Sequence, residues 1–340
     1  MFKVYYRLHS HCITTVNLCN ILNLVYIIFS PDVLGFFTRF DDFFNTVFNY
    51  NTHINKNIAN YRGEIYMSIC TAPVYRMKEL NNMFIELTAK NCNQRCSGCY
   101  IDFPVTKNVK DFISIDLIKE ALNDTKEENL YCIYLTGGEP MTHPEFNSIL
   151  RMCLKRCNVC ICTNSSFLNE KKVRFLKKVE DEGVNQIFFK LSVAHFNEME
   201  SDKVKYRGQF RQTISAHKIL GRYNFTSVLS VQNFYNLDEN YIKNNLERIF
   251  SENDITDTDI QINLSYPNHG EKNYVQRAET TDCMSGRILS RNGVYSCPFL
   301  CNDYRGRMGG SFKDYSKIIT AETDFCATCS ANKKSIFSIG

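Results

Sequence analysis

The sequence CNQRCSGC, residues 92–99, places three cysteines at the spacing CxxxCxxC directly after an apolar run, residues 83–88. Three thiolates so spaced can hold three irons of a [4Fe-4S] cluster and leave the fourth iron open to another ligand. The same spacing occurs again in CLKRCNVC, residues 153–160. The position of each triplet among the expected helices and strands therefore decides which one is a metal site.

Short apolar runs alternate with amphipathic stretches from residue 83 onward. The runs predict six strands, at 83–88, 130–135, 159–162, 186–193, 226–231 and 259–264. Helical periodicity fills the gaps, at 115–126, 144–156, 169–182, 210–223 and 237–250. Repeated β/α units predict an α/β fold, a partial (β/α)6 TIM-type barrel whose active site lies on the loops after the strands.

This fold separates the two cysteine triplets. Cys92, Cys96 and Cys99 follow the first strand, in a loop at the expected active-site edge. Cys153 and Cys157 instead lie at the end of a predicted helix, and Cys160 lies on the next strand. Free cysteine is a common core residue, so the sequence favours a packing role for the second triplet.

A second motif, LTGGEP at residues 135–140, follows the second strand. Its two glycines allow close approach of backbone to a ligand, and the carboxylate of Glu139 can accept hydrogen bonds from an amine. Gly-Gly also serves ordinary strand-to-helix turns. Its place on the loop adjacent to the first triplet makes a shared site the better interpretation.

The order of these motifs resembles the radical S-adenosylmethionine (radical SAM) superfamily, over roughly residues 83–267. The resemblance implies a [4Fe-4S] cluster on Cys92, Cys96 and Cys99, with S-adenosylmethionine (SAM) bound to the open iron. It also implies reductive cleavage of SAM to a 5′-deoxyadenosyl radical, which abstracts hydrogen from a substrate.

Further SAM contacts follow from the same resemblance. Gly137, Gly138 and Glu139 are expected to meet the methionyl amine of SAM. Asn164 belongs to a Thr-Asn turn in which Ser165 replaces the usual glycine. Ser192 and Arg207 are expected at the SAM carboxylate or ribose, although a strand-end hydroxyl and a surface charge are equally ordinary roles for them.

One position departs from the family pattern. Gly98 stands where the family usually has an aromatic residue near adenine. Tyr100 or aliphatic residues are the alternatives for that contact.

The chain beyond residue 270 holds five more cysteines. Cys283 and Cys297 flank a predicted hairpin with Asn-Gly at its turn, and Cys326 and Cys329 form a CxxC pair. The arrangement resembles the twitch subdomain of radical SAM enzymes, which implies one auxiliary [4Fe-4S] cluster on these four residues. A four-cysteine zinc site fits the same spacing, and Cys301 is left as a spare thiol.

Composition limits the partners and the compartment. The net charge of +4, from 40 basic and 36 acidic residues, is too small to favour nucleic acid or an anionic membrane. The sixteen cysteines cluster at short spacings that suit metal ligation better than disulfides, so a reducing cytoplasm is expected.

Three regions are predicted along the chain. Residues 1–76 form an N-terminal extension of uncertain structure, 77–270 the radical SAM core, and 271–340 the small cysteine-rich, twitch-like subdomain. Residues 13–29 are apolar, but Thr and Asn interrupt them, so a membrane segment is the less favoured interpretation.

The sequence therefore predicts an oxidoreductase or peptide-modifying enzyme that abstracts hydrogen from a peptide side chain or a small polar substrate. A reducing partner such as flavodoxin or ferredoxin would supply the electron. The alternative is a non-catalytic iron-sulfur or zinc-binding module on the same fold. The retained GGEP turn disfavours this alternative, because a structural cluster has no use for an amine-binding loop.

Overall fold

A computed structural model describes residues 74–97, 99, 111–255, 259–264, 281–283 and 285–320. The predictions for Gly98, Tyr100, Cys326 and Cys329 lie outside these residues, as does most of the N-terminal extension.

The elements follow one another as the periodicity predicts. The strands are β1 Val74–Arg76, β2 Asn82–Thr88, β3 Cys132–Gly137, β4 Asn158–Thr163, β5 Ile187–Val193, β6 Ser227–Asn233, β7 Asp259–Leu264, β8 Thr281–Asp282, β9 Arg287–Ser290, β10 Gly293–Tyr295, β11 Arg307–Gly309 and β12 Ile318–Thr320. The α-helices are α1 Ile115–Asp124, α2 Phe146–Leu154, α3 Glu170–Glu180, α4 Glu198–Val204, α5 Gln209–Arg222 and α6 Glu239–Glu252. All six predicted strands and all five predicted helices are present, with ends that differ by up to two residues.

The main sheet has the order β11-β10-β9-β2-β3-β4-β5-β6-β7. Strands β9 and β2 to β7 run parallel to one another, whereas β10 pairs antiparallel with both β9 and β11. A small second sheet has the order β12-β1-β8. A seven-stranded parallel sheet flanked by helices confirms the predicted α/β class and is consistent with a partial TIM-type barrel.

Alternation along the strands gives the sheet two different faces. On β2, Met83, Ile85 and Leu87 join the large core cluster that includes the apolar residues of the helices. Phe84 belongs instead to a second cluster, with Tyr134 of β3 stacked on it at 4.5 Å between ring centroids. We call the face that carries Phe84 and Tyr134 the inner face of the sheet.

The helices cover the other face with their apolar stripes. In α3, Val173 and Leu176 are buried between exposed lysines, as expected for an amphipathic helix. Side-chain N-caps begin two of these helices, since the side chains of Ser114 and Asn169 accept hydrogen bonds from the backbone at the starts of α1 and α3.

The features that were not predicted include the small second sheet, helix α4 and the pairing of β9. Helix α4 has only Ser201 fully buried, so its sequence carries no apolar stripe to reveal it. The predicted C-terminal hairpin is present as β9 and β10, but β9 pairs in parallel with β2 and thereby extends the main sheet. The division of the chain into regions at residues 76 and 270 stays a prediction.

Among the described residues, no helix is both long and apolar enough to cross a membrane.

Candidate active site

The loops after β2 and β3 meet through their backbones at the carboxyl edge of the sheet. The Gly138 N–H donates to the Thr88 carbonyl at 2.7 Å, and the Glu139 N–H donates to the Asn91 carbonyl at 3.0 Å. The CxxxCxxC loop and the GGEP turn are therefore joined directly, as their adjacent places in the chain predicted.

This contact requires glycine at both positions of the turn. Gly137 has a φ of +120°, and a Cβ there would lie 2.2 Å from the Thr88 carbonyl oxygen. A Cβ on Gly138 would lie 2.3 Å from the Asn91 oxygen and 3.2 Å from Cβ of Cys92. Any larger residue would push the turn away from the cysteine loop.

A buried aspartate organises the start of the cysteine loop. The Asp111 carboxylate accepts hydrogen bonds from the Thr88 hydroxyl at 2.6 Å and from the Ala89 and Lys90 N–H groups at 3.0 and 2.7 Å. The Asn91 side chain also donates to it, at 2.6 Å. Sequence reasoning missed Asp111, because it lies about twenty residues away and carries no motif signal.

The thiols of the first triplet lie on this loop. Burial raises the pKa of Cys92 to about 11, and burial also raises the pKa of Cys96. Cys99 is exposed. Within the described part of the chain, no three Cys, His, Asp or Glu side chains are gathered closely enough to hold a metal ion.

The chain supplies a cation beside these thiols. Burial lowers the pKa of Lys205, and its interactions with Cys96, Cys99 and Cys92 oppose this shift. The Lys205 ammonium in turn favours the thiolate of Cys96. The Ser97 N–H donates to the Val204 carbonyl at 2.9 Å, which ties the loop to the end of α4. Three thiols next to a cation suit a cluster of thiolate ligands, so the residues fit the implied [4Fe-4S] group. Lys205 was not predicted, since α4 itself was missed.

Glu139 is fully buried, and its carboxylate accepts several hydrogen bonds. The Thr163 hydroxyl lies 2.9 Å from both of its oxygens, and the Asn164 and Met141 N–H groups donate to it at 2.9 and 3.2 Å. Burial nevertheless raises the pKa of Glu139 to about 7. A desolvated carboxylate held by neutral donors suits a cationic ligand group, because an ammonium would compensate its buried charge.

Asn164, in the Thr-Asn turn after β4, contacts both the GGEP turn and the cysteine loop. Its N–H donates to Glu139, while its side chain donates to the Asn93 carbonyl oxygen Oδ1 at 3.0 Å and lies 3.6 Å from the Cys92 sulfur. Ser165 has a φ of +70°, the left-handed conformation that glycine adopts easily. The serine therefore occupies the backbone conformation expected of the glycine it replaces.

Ser192 and Arg207, the other predicted SAM contacts, lie in different surroundings. Ser192 is half-buried at the end of β5, and its carbonyl accepts a 2.6 Å hydrogen bond from the Gln209 side chain. Gln209 is buried, and its Oε1 has no hydrogen-bond partner among the described residues. Arg207 is exposed. The roles of Ser192 and Arg207 at SAM stay predictions, and Gln209 joins them as a neighbour that the sequence did not reveal.

The described C-terminal cysteines lie in different surroundings. Cys283 packs against the helix-covered core and lies 3.6 Å from Nη1 of the fully buried Arg287. Cys297 belongs to the inner-face cluster, against which Cys301 packs. Since Cys326 and Cys329 lie outside the described residues, the four-cysteine site stays a prediction.

The second triplet is divided between the two faces of the sheet. Cys153 and Cys157 pack in the core beneath the helices, whereas Cys160 belongs to the inner-face cluster. Burial raises the pKa of all three thiols, as it does for Cys92 and Cys96, so the division between the two faces is what separates this triplet from the first.

Replacing Cys153, Cys157 and Cys160 together with alanine is therefore expected to leave the iron content of the reconstituted protein unchanged. The melting temperature should fall, because each change removes a buried sulfur from a packed core. Iron analysis and thermal unfolding measure the two effects. Loss of iron from a variant that still folds would contradict the division of this triplet between two faces.

The raised pKa of Glu139 predicts a pH dependence of stability in the cluster-free protein. A carboxyl whose pKa rises on folding, from about 4.3 to about 7, stabilises the fold below the lower value and loses this contribution as pH rises. The free energy of unfolding should fall between pH 5 and pH 8, by up to about 3 kcal/mol from this group. Glu139→Gln should flatten the change. Urea unfolding at pH 5 and pH 8 measures this change in the free energy of unfolding. An equal change in the wild type and in Glu139→Gln would refute the raised pKa of Glu139.

Comparison with known proteins agrees with this geometry. The family model "Radical SAM superfamily" matches residues 87–249. The antilisterial bacteriocin subtilosin biosynthesis protein AlbA of Bacillus subtilis (strain 168) is 28% identical over 137 residues, 40% of this chain and 29% of AlbA. The match thus spans less than a third of that relative's length.

Solved structures share the fold at low sequence identity. Native anSMEcpe with bound AdoMet aligns with a TM-score of 0.52 at 15% identity, over 69% of this chain and 78% of that one. The same protein with AdoMet and the Kp18Cys peptide aligns with a TM-score of 0.51, also at 15% identity and over the same shares of the two chains. The motif loops and the parallel sheet agree with the family match: residues 87–249, just under half of the chain, match the model of the radical SAM superfamily.

Proposed function

We propose that this protein cleaves SAM reductively and abstracts a hydrogen atom from a peptide side chain. The observation that carries the proposal is the placement of Glu139. This fully buried carboxylate is fixed beside the cysteine loop by a turn that only glycine fits. Such a group at the carboxyl edge of a parallel sheet suits the amine of a bound amino acid.

The chain's own residues have distinct roles in this proposal. Cys92, Cys96 and Cys99 would hold a [4Fe-4S] cluster through their thiolates, with the Lys205 cation lowering the cost of their negative charge. Glu139 would accept the SAM ammonium, on the turn formed by Gly137 and Gly138.

Other residues would complete the SAM site. Asn164 would fix the position of Glu139 relative to the Cys92 loop, because it contacts both. Ser192 and Arg207 would bind the carboxylate or ribose of SAM, with Gln209 holding the Ser192 backbone. When bound, the reduced cluster supplies the electron that cleaves SAM to methionine and the 5′-deoxyadenosyl radical.

The class of substrate rests on the relatives. AlbA is named for the biosynthesis of subtilosin, a bacteriocin, and anSMEcpe has been solved with a peptide bound. The likeness to AlbA favours a peptide substrate over a small polar molecule. We place the reaction in the cytoplasm, where flavodoxin or ferredoxin would act as the reducing partner.

The C-terminal cysteines would hold one auxiliary [4Fe-4S] cluster, with zinc as the alternative. The proposed ligands are Cys283, Cys297, Cys326 and Cys329. The buried guanidinium of Arg287 donates toward the Cys283 sulfur, and such contacts orient and support the sulfur ligands of a metal site. Its Nη2 is also buried without a hydrogen-bond partner among the described residues, which leaves a donor for a further acceptor at this site.

The direct test is product analysis after anaerobic reconstitution. Protein incubated with SAM and dithionite should form 5′-deoxyadenosine and methionine in equal amounts. If protein with a full cluster forms neither with any reductant, the enzymatic proposal fails and the non-catalytic iron-sulfur module takes its place.

A further inference from the structure

Two buried amide side chains lie side by side on the inner face, near the carboxyl ends of β6 and β7. Gln232 and Asn263 are direct neighbours in the parallel register, and they are 6% and 3% exposed. Leu229 and Val231 of β6 pack in the core beneath the helices, so Gln232 points to the opposite side. Ser230 lies two residues before Gln232 and therefore on the same face of β6. The Asn263 side chain also lies on this face, because its Nδ2 donates to Oγ of Ser230 at 2.7 Å.

Each amide has one polar atom without a hydrogen-bond partner among the described residues. These atoms are Nε2 of Gln232, a donor, and Oδ1 of Asn263, an acceptor. Buried polar groups in folded proteins are nearly always hydrogen-bonded, so two open groups on adjacent strands need an explanation. A bound ligand or an ordered water provides the missing partners.

The position of the pair favours a ligand. Ser192 of β5 is the register neighbour of Ser230, which lies two residues before Gln232 on the same face. Adjacent strands lie about 4.8 Å apart, so the pair is roughly 10 Å from the strand end where SAM is proposed to bind. It also lies toward the carboxyl edge, where parallel α/β sheets bind their substrates.

The two open groups match the hydrogen-bonding pattern of one extended residue. In an antiparallel β-ladder, a residue of a hydrogen-bonded pair offers its own N–H and C=O on the same side, and both bond to one residue of the neighbouring strand. Nε2 of Gln232 would donate to such a C=O, and Oδ1 of Asn263 would accept from the N–H. A sugar or an alcohol lacks this fixed pairing of one carbonyl with one amide hydrogen.

We propose that Gln232 and Asn263 form a binding site for one backbone residue of a peptide substrate. The inference rests on the proposed function, and it assigns this part of the inner face to substrate. Gln232 and Asn263 are then positioning residues. They hold an extended peptide across the sheet, so that the side chain of a neighbouring peptide residue is presented for hydrogen abstraction.

The probe is a library of random dodecapeptides made by mRNA display and panned anaerobically against the reconstituted protein with SAM. We expect enriched peptides whose affinity falls about tenfold in Gln232→Met and in Asn263→Leu, changes that keep side-chain size. Replacing one backbone amide of the best peptide by an ester should weaken binding to the wild type by a similar factor, and have little further effect on Asn263→Leu. Gln186→Met makes the same exchange at an exposed site at the start of β5 and should not affect binding.

The outcomes separate this inference from the function on which it rests. Peptides held equally well by the wild type and both variants would overturn it and leave water as the partner of the two amides. The same conclusion follows if the wild type forms 5′-deoxyadenosine but enriches no peptide. Formation of 5′-deoxyadenosine without peptide in all variants would show that they fold, and its absence from the wild type would refute the proposed function instead.

Discussion

Replacing Cys92, Cys96 and Cys99 with alanine is expected to abolish the formation of 5′-deoxyadenosine. The three thiols lie on the loop that contacts the GGEP turn, and a cluster without them has no ligands there. The reconstituted variant should contain about four irons fewer per chain than the wild type, the content of one [4Fe-4S] cluster. Iron analysis and product analysis on the same sample measure both losses.

The matched control is the triple variant of the other triplet, which should keep both iron and activity. The C-terminal site provides a second comparison, since any iron that remains after loss of the first triplet is expected there. If zinc occupies that site, the variant should contain zinc and almost no iron. Full iron content in the Cys92, Cys96 and Cys99 variant would contradict the assignment of the ligands.

The exchange Glu139→Gln is expected to weaken SAM binding by roughly ten- to a hundredfold at pH 8. A neutral amide would replace a charge-assisted contact to the SAM ammonium, which contributes about 1.5–3 kcal/mol. The measurement belongs above the raised pKa of about 7, because the wild-type carboxyl must be ionised to make this contact. Equilibrium dialysis with labelled SAM on reconstituted protein gives the two affinities.

The cluster spectrum should not change in this variant, because Glu139 is not one of the proposed ligands. Glu145→Gln is the matched control, since Glu145 is an exposed carboxylate at the start of α2. It should bind SAM as the wild type does. Equal affinities for wild type and Glu139→Gln would remove the amine-binding role from the turn.

The features predicted from sequence are those that repeat or that form a short motif. Strand and helix periodicity identified the parallel sheet, because alternation and amphipathic stripes are set by burial on one face. The GGEP turn could be predicted because a close approach of two backbones requires glycine, and the structure has such an approach between Gly138 and Asn91. The left-handed φ of Ser165 agrees with the glycine that it replaces.

The features that were missed depend on contacts between distant residues. Asp111 holds the start of the cysteine loop from about twenty residues away, and an isolated aspartate has no distinctive pattern. Lys205 reaches the thiols only because α4, a helix without an apolar stripe, ends beside Ser97. The pairing of β9 with β2 joins segments about two hundred residues apart, which a local pattern does not reveal.

Electron paramagnetic resonance of the reduced cluster, with and without SAM, tests the central claim most directly. The sample is the reconstituted protein in which the C-terminal cysteines Cys283 and Cys297 are replaced by serine, so that one cluster contributes to the signal. If the cluster on Cys92, Cys96 and Cys99 has an open iron next to Glu139, saturating SAM should change the g-values of the signal. An identical signal with and without SAM would contradict SAM binding at this cluster.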